Sequence, residues 1–340
     1  MDFDDSRLAE AQVSARADQA LRHLASAGAR VRREATTSGQ ELASGFEAGR
    51  RPRGVVALGS GARLIRAVLE PFCLSPFVAW PFEGLPAWVG ALDLVVVMAA
   101  EGSEPGLMEA VHEAVRRGSS VVIAASPTSS ITEAATSRQT LLVPVETGDE
   151  FAAAVQVLSV LHELGLGPHV APESVAEAAD RVAEQASPHH DLAINPAKVL
   201  ALDLADAQPL LFGGTVLAAR AGRRIAEALR RSTGRPALAA DASELEPVIA
   251  AVESRDPFAD PFDDPAAALR PVLVVLDDLS DDARARRSIT ELTTLAAEHE
   301  VRVCTISAGE AATSPVDRYA SMLYQGLFGA TWLAIGLGRL

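Results

Sequence analysis

Short apolar runs, each closed by glycine or a polar turn, recur along the whole chain. They are GVVAL (Gly54 to Leu58), DLVVVMAA (Asp93 to Ala100), SSVVIAAS (Ser119 to Ser126), LLVPV (Leu141 to Val145), PLLFGG (Pro209 to Gly214), PVLVVLDDL (Pro271 to Leu279) and VRVCTIS (Val301 to Ser307). Strands without polar alternation are buried on both faces, which is the condition of a parallel sheet covered by helices. Helical spacing resumes after almost every run, as in ARLIRAVLEPF, LMEAVHEAVRRG and TVLAARAGRRIAEALRRSTG. The alternation therefore predicts an α/β fold.

The series stops once. Between Gly165 and Asp191 the chain turns rich in Pro, His and Glu around one helical stretch, ESVAEAADRVAEQA, and then the alternation restarts. A length of 340 residues also exceeds what one core serves. The expected organisation is N-terminal helices at 1–50 packed on the first domain, an αβα sandwich at 51–167, a linker helix at 168–193 and a second αβα sandwich at 194–340. Two such halves form a ligand cleft at their interface.

Composition narrows the function. With 30 basic against 45 acidic residues the net charge is −15, which repels a phosphate backbone and excludes nucleic acid as a partner. Lys198 is the only lysine, so any Schiff-base chemistry would have to use it. Cys73 and Cys304 stand far apart and are expected as buried thiols in a reducing compartment. The acidic N-terminus MDFDDSRLAEA does not read as a secretory signal, so a cytoplasmic location is expected. The apolar stretch SMLYQGLFGATWLAIGL is interrupted by Gln325 and glycines and predicts a buried terminal helix, not a membrane span. No GxGxxG, GxxxxGK[ST], GxSxG or metal-ligand cluster is present, so no cofactor and no metal is expected.

Candidate site residues lie where strands end. Gly59, Ser60 and Gly61 form a turn between a strand and a helix, and Ser126, Thr128, Ser129 and Ser130 form another. Amide N–H groups at such places favour anions, although Ser129 or Ser130 could simply cap the helix ITEAATS. The loop SRDPFADPFDDPAAALR at 254–270 reads as exposed, without the ligand spacing of an EF-hand.

The chain resembles the sugar isomerase (SIS) fold, and within it the bifunctional glucose-6-phosphate/mannose-6-phosphate isomerase family. The resemblance is carried by VVALGSGA (Val55 to Ala62), GLPAWV (Gly84 to Val89) and INPAKVLALDLADAQPLLFGG (Ile194 to Gly214), with Arg220 and Glu227 at the spacing of the family's arginine and acid/base glutamate. It implies two tandem SIS-type sandwiches, a homodimer and a sugar phosphate ligand held by Gly59, Ser60, Gly61, Ser103, Ser126, Thr128, Ser129 and Lys198. Glu227 is the implied catalytic base for aldose–ketose isomerisation. The bottom-up alternative for Glu227 is an exposed helical carboxylate paired with Arg223 or Arg231.

The departures from the family are specific. Where it has a Ser/Thr-rich phosphate loop this chain has AAEGSEPG, in which Ser103 keeps a hydroxyl and Glu101 and Glu104 add repelling charge. The family's catalytic histidine would fall near Ser243 and Glu244, and there is none; His299 sits at a helix-to-strand junction remote from that position. His169, His189 and His190 lie in or near the linker instead. Two functions are thus expected: an isomerase of hexose 6-phosphates, or a catalytically silent binding or regulatory module on the same fold.

Overall fold

The computed structural model describes residues 3–9, 14–44, 46, 51–100, 105–252 and 270–340. They divide into two compact units, Ala27–Glu177 and Met1–Ser26 with Ala178–Leu340. Ser103, Glu101, Glu104 and all of the 254–270 loop but Arg270 lie outside the described residues.

The chain opens with a 3-10 turn, Asp5–Leu8, and three helices, α1 (Ala15–Ala25), α2 (Ala27–Glu34) and α3 (Gly39–Ala43). Ser14 and Ser38 start α1 and α3 by accepting the amide N–H of Ala17 and Glu41, each at 3.1 Å.

The first sheet contains β1 (Val55–Gly59), β2 (Phe77–Ala79), β3 (Leu94–Ala99), β4 (Ser120–Ala125) and β5 (Thr140–Pro144). All are parallel, in the order β2-β1-β3-β4-β5. Helices α4 (Ala62–Leu69), α5 (Pro105–Arg116), α6 (Ser130–Ala134) and α7 (Glu150–Glu163) cover it. Val56, Leu58, Val95, Val97, Val121 and Ile123 pack with α5 and α6. The alternate residues Val55, Ala57, Val96 and Met98 are equally buried on the face covered by α4 and α7. Every residue of β3 is buried, and each such valine contributes about 1.5–3 kcal/mol through removal from water. That explains why this strand reads so plainly in the sequence. Helices α2 and α3 pack on α7.

Helix α8 (Pro172–Gln185) is the linker helix, and the boundary between the units falls within it. The second sheet contains β6 (Ala207–Gly213), β7 (Leu238–Ala239), β8 (Arg270–Asp277) and β9 (Arg302–Ser307), parallel in the order β7-β6-β8-β9. Its helices are α9 (Pro196–Asp203), α10 (Val216–Thr233), α11 (Ala242–Ala250), α12 (Ala283–Glu298) and α13 (Pro315–Gly336). Leu210, Phe212, Leu273 and Val275 pack on α11 and α12, while α10 and α13 cover the other face. The α/β class with helices on both sides of parallel sheets is therefore as the sequence implies.

Two expectations are corrected. The 3-10 turn and α1 pack on α13, at the far end of the chain, and so belong with the second sheet rather than the first domain. The Asp4 N–H donates to the Gly336 carbonyl at 2.9 Å. Cys73 and Cys304 are free and each is half-buried, not fully buried. Helix α13 is buried on nearly all sides by α9, α10, α1 and the 3-10 turn, the buried terminal helix that the sequence predicts. No helix among the described residues is long and apolar enough to cross a membrane.

Candidate functional site

In a doubly wound sheet, ligands settle outside the carboxyl ends of the strands where the strand order reverses. In the first sheet that place lies between β1 and β3. Strand β1 ends at Gly59 with φ of 90°, and a Cβ there would stand 2.1 Å from the Met98 carbonyl oxygen of the paired β3. Only glycine allows the strand to pass and turn so closely. Ser60 follows, exposed, and Gly61 starts α4 with no side chain capping the helix.

Strand β4 ends in the second hydroxyl loop. The Ser126 carbonyl is its hub, accepting from Ser129 Oγ at 2.7 Å and Thr132 Oγ1 at 2.8 Å. Ser129 occupies the cap position of α6 but makes no capping bond, because its hydroxyl is turned back to Ser126 and lies 3.0 Å from Thr132 Oγ1. Ser126 Oγ and Thr128 Oγ1 lie 3.3 Å apart, with Thr128 exposed and Ser126 half-buried. Since β3 is the single strand between β1 and β4, the two loops start about 10 Å apart. Gly59, Ser60, Gly61, Ser126, Thr128 and Ser129 thus share one edge of one sheet.

The end of β5 is occupied by a residue that sequence reasoning missed. Glu34, 5% exposed on α2, accepts the amide N–H of Glu146 at 3.0 Å and of Thr147 at 2.6 Å, and also the Thr147 hydroxyl. Arg30 pairs with Asp149 at 2.8 Å beside it. These donors would otherwise be open to an anion. No local sequence signal marks Glu34, because its partners lie more than a hundred positions away.

The second sheet reverses its order between β6 and β8, and its strand ends differ in charge. Gly213 and Gly214 lead to Thr215, which caps α10 and donates to Asp278 Oδ2 at 2.5 Å. Asp277 Oδ1 accepts the Leu279 amide at 2.9 Å, with Leu279 at φ 53°, a conformation uncommon for a side chain of its kind. Carboxylates at these strand ends repel a phosphate.

Glu227 and Lys198 belong to this unit, whereas the serine loops belong to the first. Glu227 is twelve residues beyond Thr215 along α10, roughly 18 Å from the strand ends at 1.5 Å per residue. Its carboxylate is 2.7 Å from Arg231 and 3.6 Å from Arg224. Lys198 is 2% exposed. Its ammonium donates to the carbonyls of Pro188 at 3.0 Å and His190 at 2.9 Å and lies 4.6 Å from the ring centre of Trp332. At the place of the family's histidine, Ser243 and Glu244 form the first turn of α11, and Glu244 accepts the Asp241 amide at 3.3 Å. His299 ends α12. No group of three or more metal-binding side chains occurs among the described residues.

No protein-family model matches the sequence, and no curated protein matches it either. Solved structures do. Tagatose-6-phosphate ketose/aldose isomerase from Escherichia coli superposes with a TM-score of 0.68 at 12% identity, over 95% of this chain and 94% of the other. The C-terminal domain of glucosamine-fructose-6-phosphate aminotransferase from Francisella tularensis gives 0.62 at 12% identity, over 94% and 96%. A glucose-6-phosphate isomerase like protein from Thermus thermophilus gives 0.51 at 17% identity, over 88% of each chain. At these identities the likeness is one of fold: the chain has the α/β architecture of these sugar-phosphate proteins.

Proposed function

We propose that the chain binds a sugar phosphate at the carboxyl edge of its first sheet, as a non-catalytic relative of the tandem-SIS glucose-6-phosphate/mannose-6-phosphate isomerases. The carrying observation is the pairing of two hydroxyl-bearing turns, Gly59-Ser60-Gly61 after β1 and Ser126 to Ser129 after β4, on either side of β3. Backbone and hydroxyl donors at strand ends suit a phosphate dianion. Ser103 belongs to the same ligand set by its place after β3. The solved structures of like fold include two named for sugar-phosphate isomerisation, which supports the ligand class.

Isomerisation needs a base that reaches the sugar and a group that opens the ring. Glu227 is held between two arginines well along α10, and Lys198 is engaged by carbonyl oxygens. The first arrangement speaks against turnover, and the second against Lys198 as a phosphate ligand. A homodimer remains the assembly that the resemblance implies, and light scattering of the purified protein tests it.

The function is tested by proton NMR in D2O with glucose 6-phosphate, fructose 6-phosphate and mannose 6-phosphate, alongside calorimetric titration. The expected result is saturable binding, lost in the Ser60→Ala/Ser126→Ala/Thr128→Ala variant, with no deuterium entering C2. Turnover that disappears in Glu227→Gln would establish the isomerase instead.

A further inference from the structure

A sheet edge is a template for pairing, and folded chains blunt their edges with short strands or proline. Two sheets give this chain four edges, and three of them are blunted. Strand β2 has three residues and follows Pro76, β5 ends in Pro144, and β7 has two residues and follows Pro236. Strand β9, the fourth edge, has six residues, RVCTIS, and no proline.

The first sheet shows what such an edge needs. Leu94 of β3 stands opposite Ser120 of β4 as Val272 of β8 stands opposite Arg302 of β9, so Val121 and Ala125 correspond to Val303 and Ser307. On β4 the outward groups are taken by the segment of β5: the Val121 N–H donates to the Gln139 carbonyl at 2.8 Å, and the Ala125 carbonyl accepts from the Val145 N–H at 3.0 Å. On β9 the Ala308 N–H donates to the Asp277 carbonyl at 2.9 Å. Since backbone groups alternate sides along a strand, Cys304 and Ile306 face β8, while Val303, Thr305 and Ser307 face outward. The Ser307 carbonyl accepts from Gln325 Nε2 at 2.7 Å. No hydrogen bond satisfies the outward groups of Val303 or Thr305 among the described residues. The side chains are open as well: Val303 is 41% exposed, and Arg302 and Thr305 are exposed.

These open groups are complementary to themselves. In an antiparallel pair about a two-fold axis, Val303 stands opposite the partner subunit's Thr305 and the reverse, and each such pair exchanges both hydrogen bonds. A shift of two residues either way would bring in Val301 or Ser307. The Val301 N–H is already given to the Ala296 carbonyl at 2.8 Å, and the Ser307 carbonyl is taken by Gln325. One register therefore satisfies all the open groups. It also keeps like charges apart, because Arg302, the strand's only charge, lies four residues from its own copy, about 13 Å along the strand. We propose that β9 pairs antiparallel with β9 of a second copy of this chain, joining the two second sheets into one. The pairing does not depend on the phosphate site of the first unit.

The test follows the full chain by sedimentation and by amide hydrogen exchange at rising concentration. A reversible dimer should form between about 1 and about 200 μM, as suits an interface below the standard size. The Val303 and Thr305 amides should gain about tenfold protection as it forms, while those of Cys304 and Ile306 stay protected throughout. Thr305→Pro removes an outward donor, keeps the β8 ladder and should leave a monomer. Val303→Lys should do the same with every N–H intact, by placing like charges beside the axis. Protection of Cys304 and Ile306 reports that each variant is folded. A chain that stays monomeric over the whole range overturns the proposal and leaves the edge to a strand of another protein. A dimer that leaves Val303 and Thr305 unprotected, or that survives in a folded variant, overturns it in favour of a dimer through another surface.

Discussion

The Glu227 carboxylate lies 2.7 Å from the Arg231 guanidinium, one turn further along α10, with Arg224 at 3.6 Å one turn back. With one-third of the Glu227 side chain exposed, the pairs work through water and each contributes no more than about 0.5 kcal/mol. Glu227→Gln should therefore shift the urea midpoint only slightly, by less than about 1 kcal/mol of stability. A much larger loss would mean that the carboxylate is engaged by something beyond these arginines.

Lys198 should behave in the opposite way. Replacing it by Met removes the donors to two carbonyls and the cation over Trp332, at about 2–4 kcal/mol. Lys198→Arg is not expected to rescue, because a planar fork does not reproduce a compact ammonium reaching two carbonyls of one turn. Chemical denaturation of the two variants measures this directly.

Two glycines with similar backbone angles separate strain from crowding. Gly59 at φ 90° has the Met98 oxygen 2.1 Å from a built Cβ, whereas Gly84 at φ 73° has nothing within 4 Å. Gly84→Ala should cost about 1 kcal/mol, the left-handed penalty alone. Gly59→Ala should cost at least twice that and also weaken sugar phosphate binding, because the β1 turn must move. Thermal melts and titrations of both variants check the difference.

Tyr319 on α13 is buried, and burial pushes its hydroxyl up to about 12 even though Arg224 and Arg220 pull the other way. The folded chain then holds this proton more tightly than the unfolded chain, whose tyrosine titrates near about 10. Its contribution is intact below about pH 10 and is lost as pH rises from about 10 to 12, about 2–3 kcal/mol in all. Denaturation across that range should show the decline, and Tyr319→Phe should flatten it.

The parts of the fold that were legible in the sequence are those made by local pattern. Strands β1, β3, β4 and β8 are unbroken apolar runs, because each is buried on both faces. Strand β2 is three residues, Phe77–Ala79, all half-buried, too short to differ from a loop on paper. The glycine turn at 59–61 was readable because steric crowding leaves one residue type. What Glu34, Lys198 and α1 touch was not readable, since each partner is set by packing between segments remote in sequence. Of the two partners that helical spacing offers Glu227, Arg231 is the one it meets, whereas Arg223 lies 3.9 Å from Asp241 and Arg224 takes the other side.

The contact of α1 and the 3-10 turn with α13 also sets a schedule for synthesis. Residues 27–177 form a continuous compact unit, complete before the second sheet is made. The 3-10 turn and α1 are made before that unit, yet the helix they pack on, Pro315–Gly336, is made well after it. Domains fold as they leave the ribosome when their chain is contiguous. The first unit can mature on the nascent chain, while the leading segment must wait, unpartnered, until translation of the second is finished.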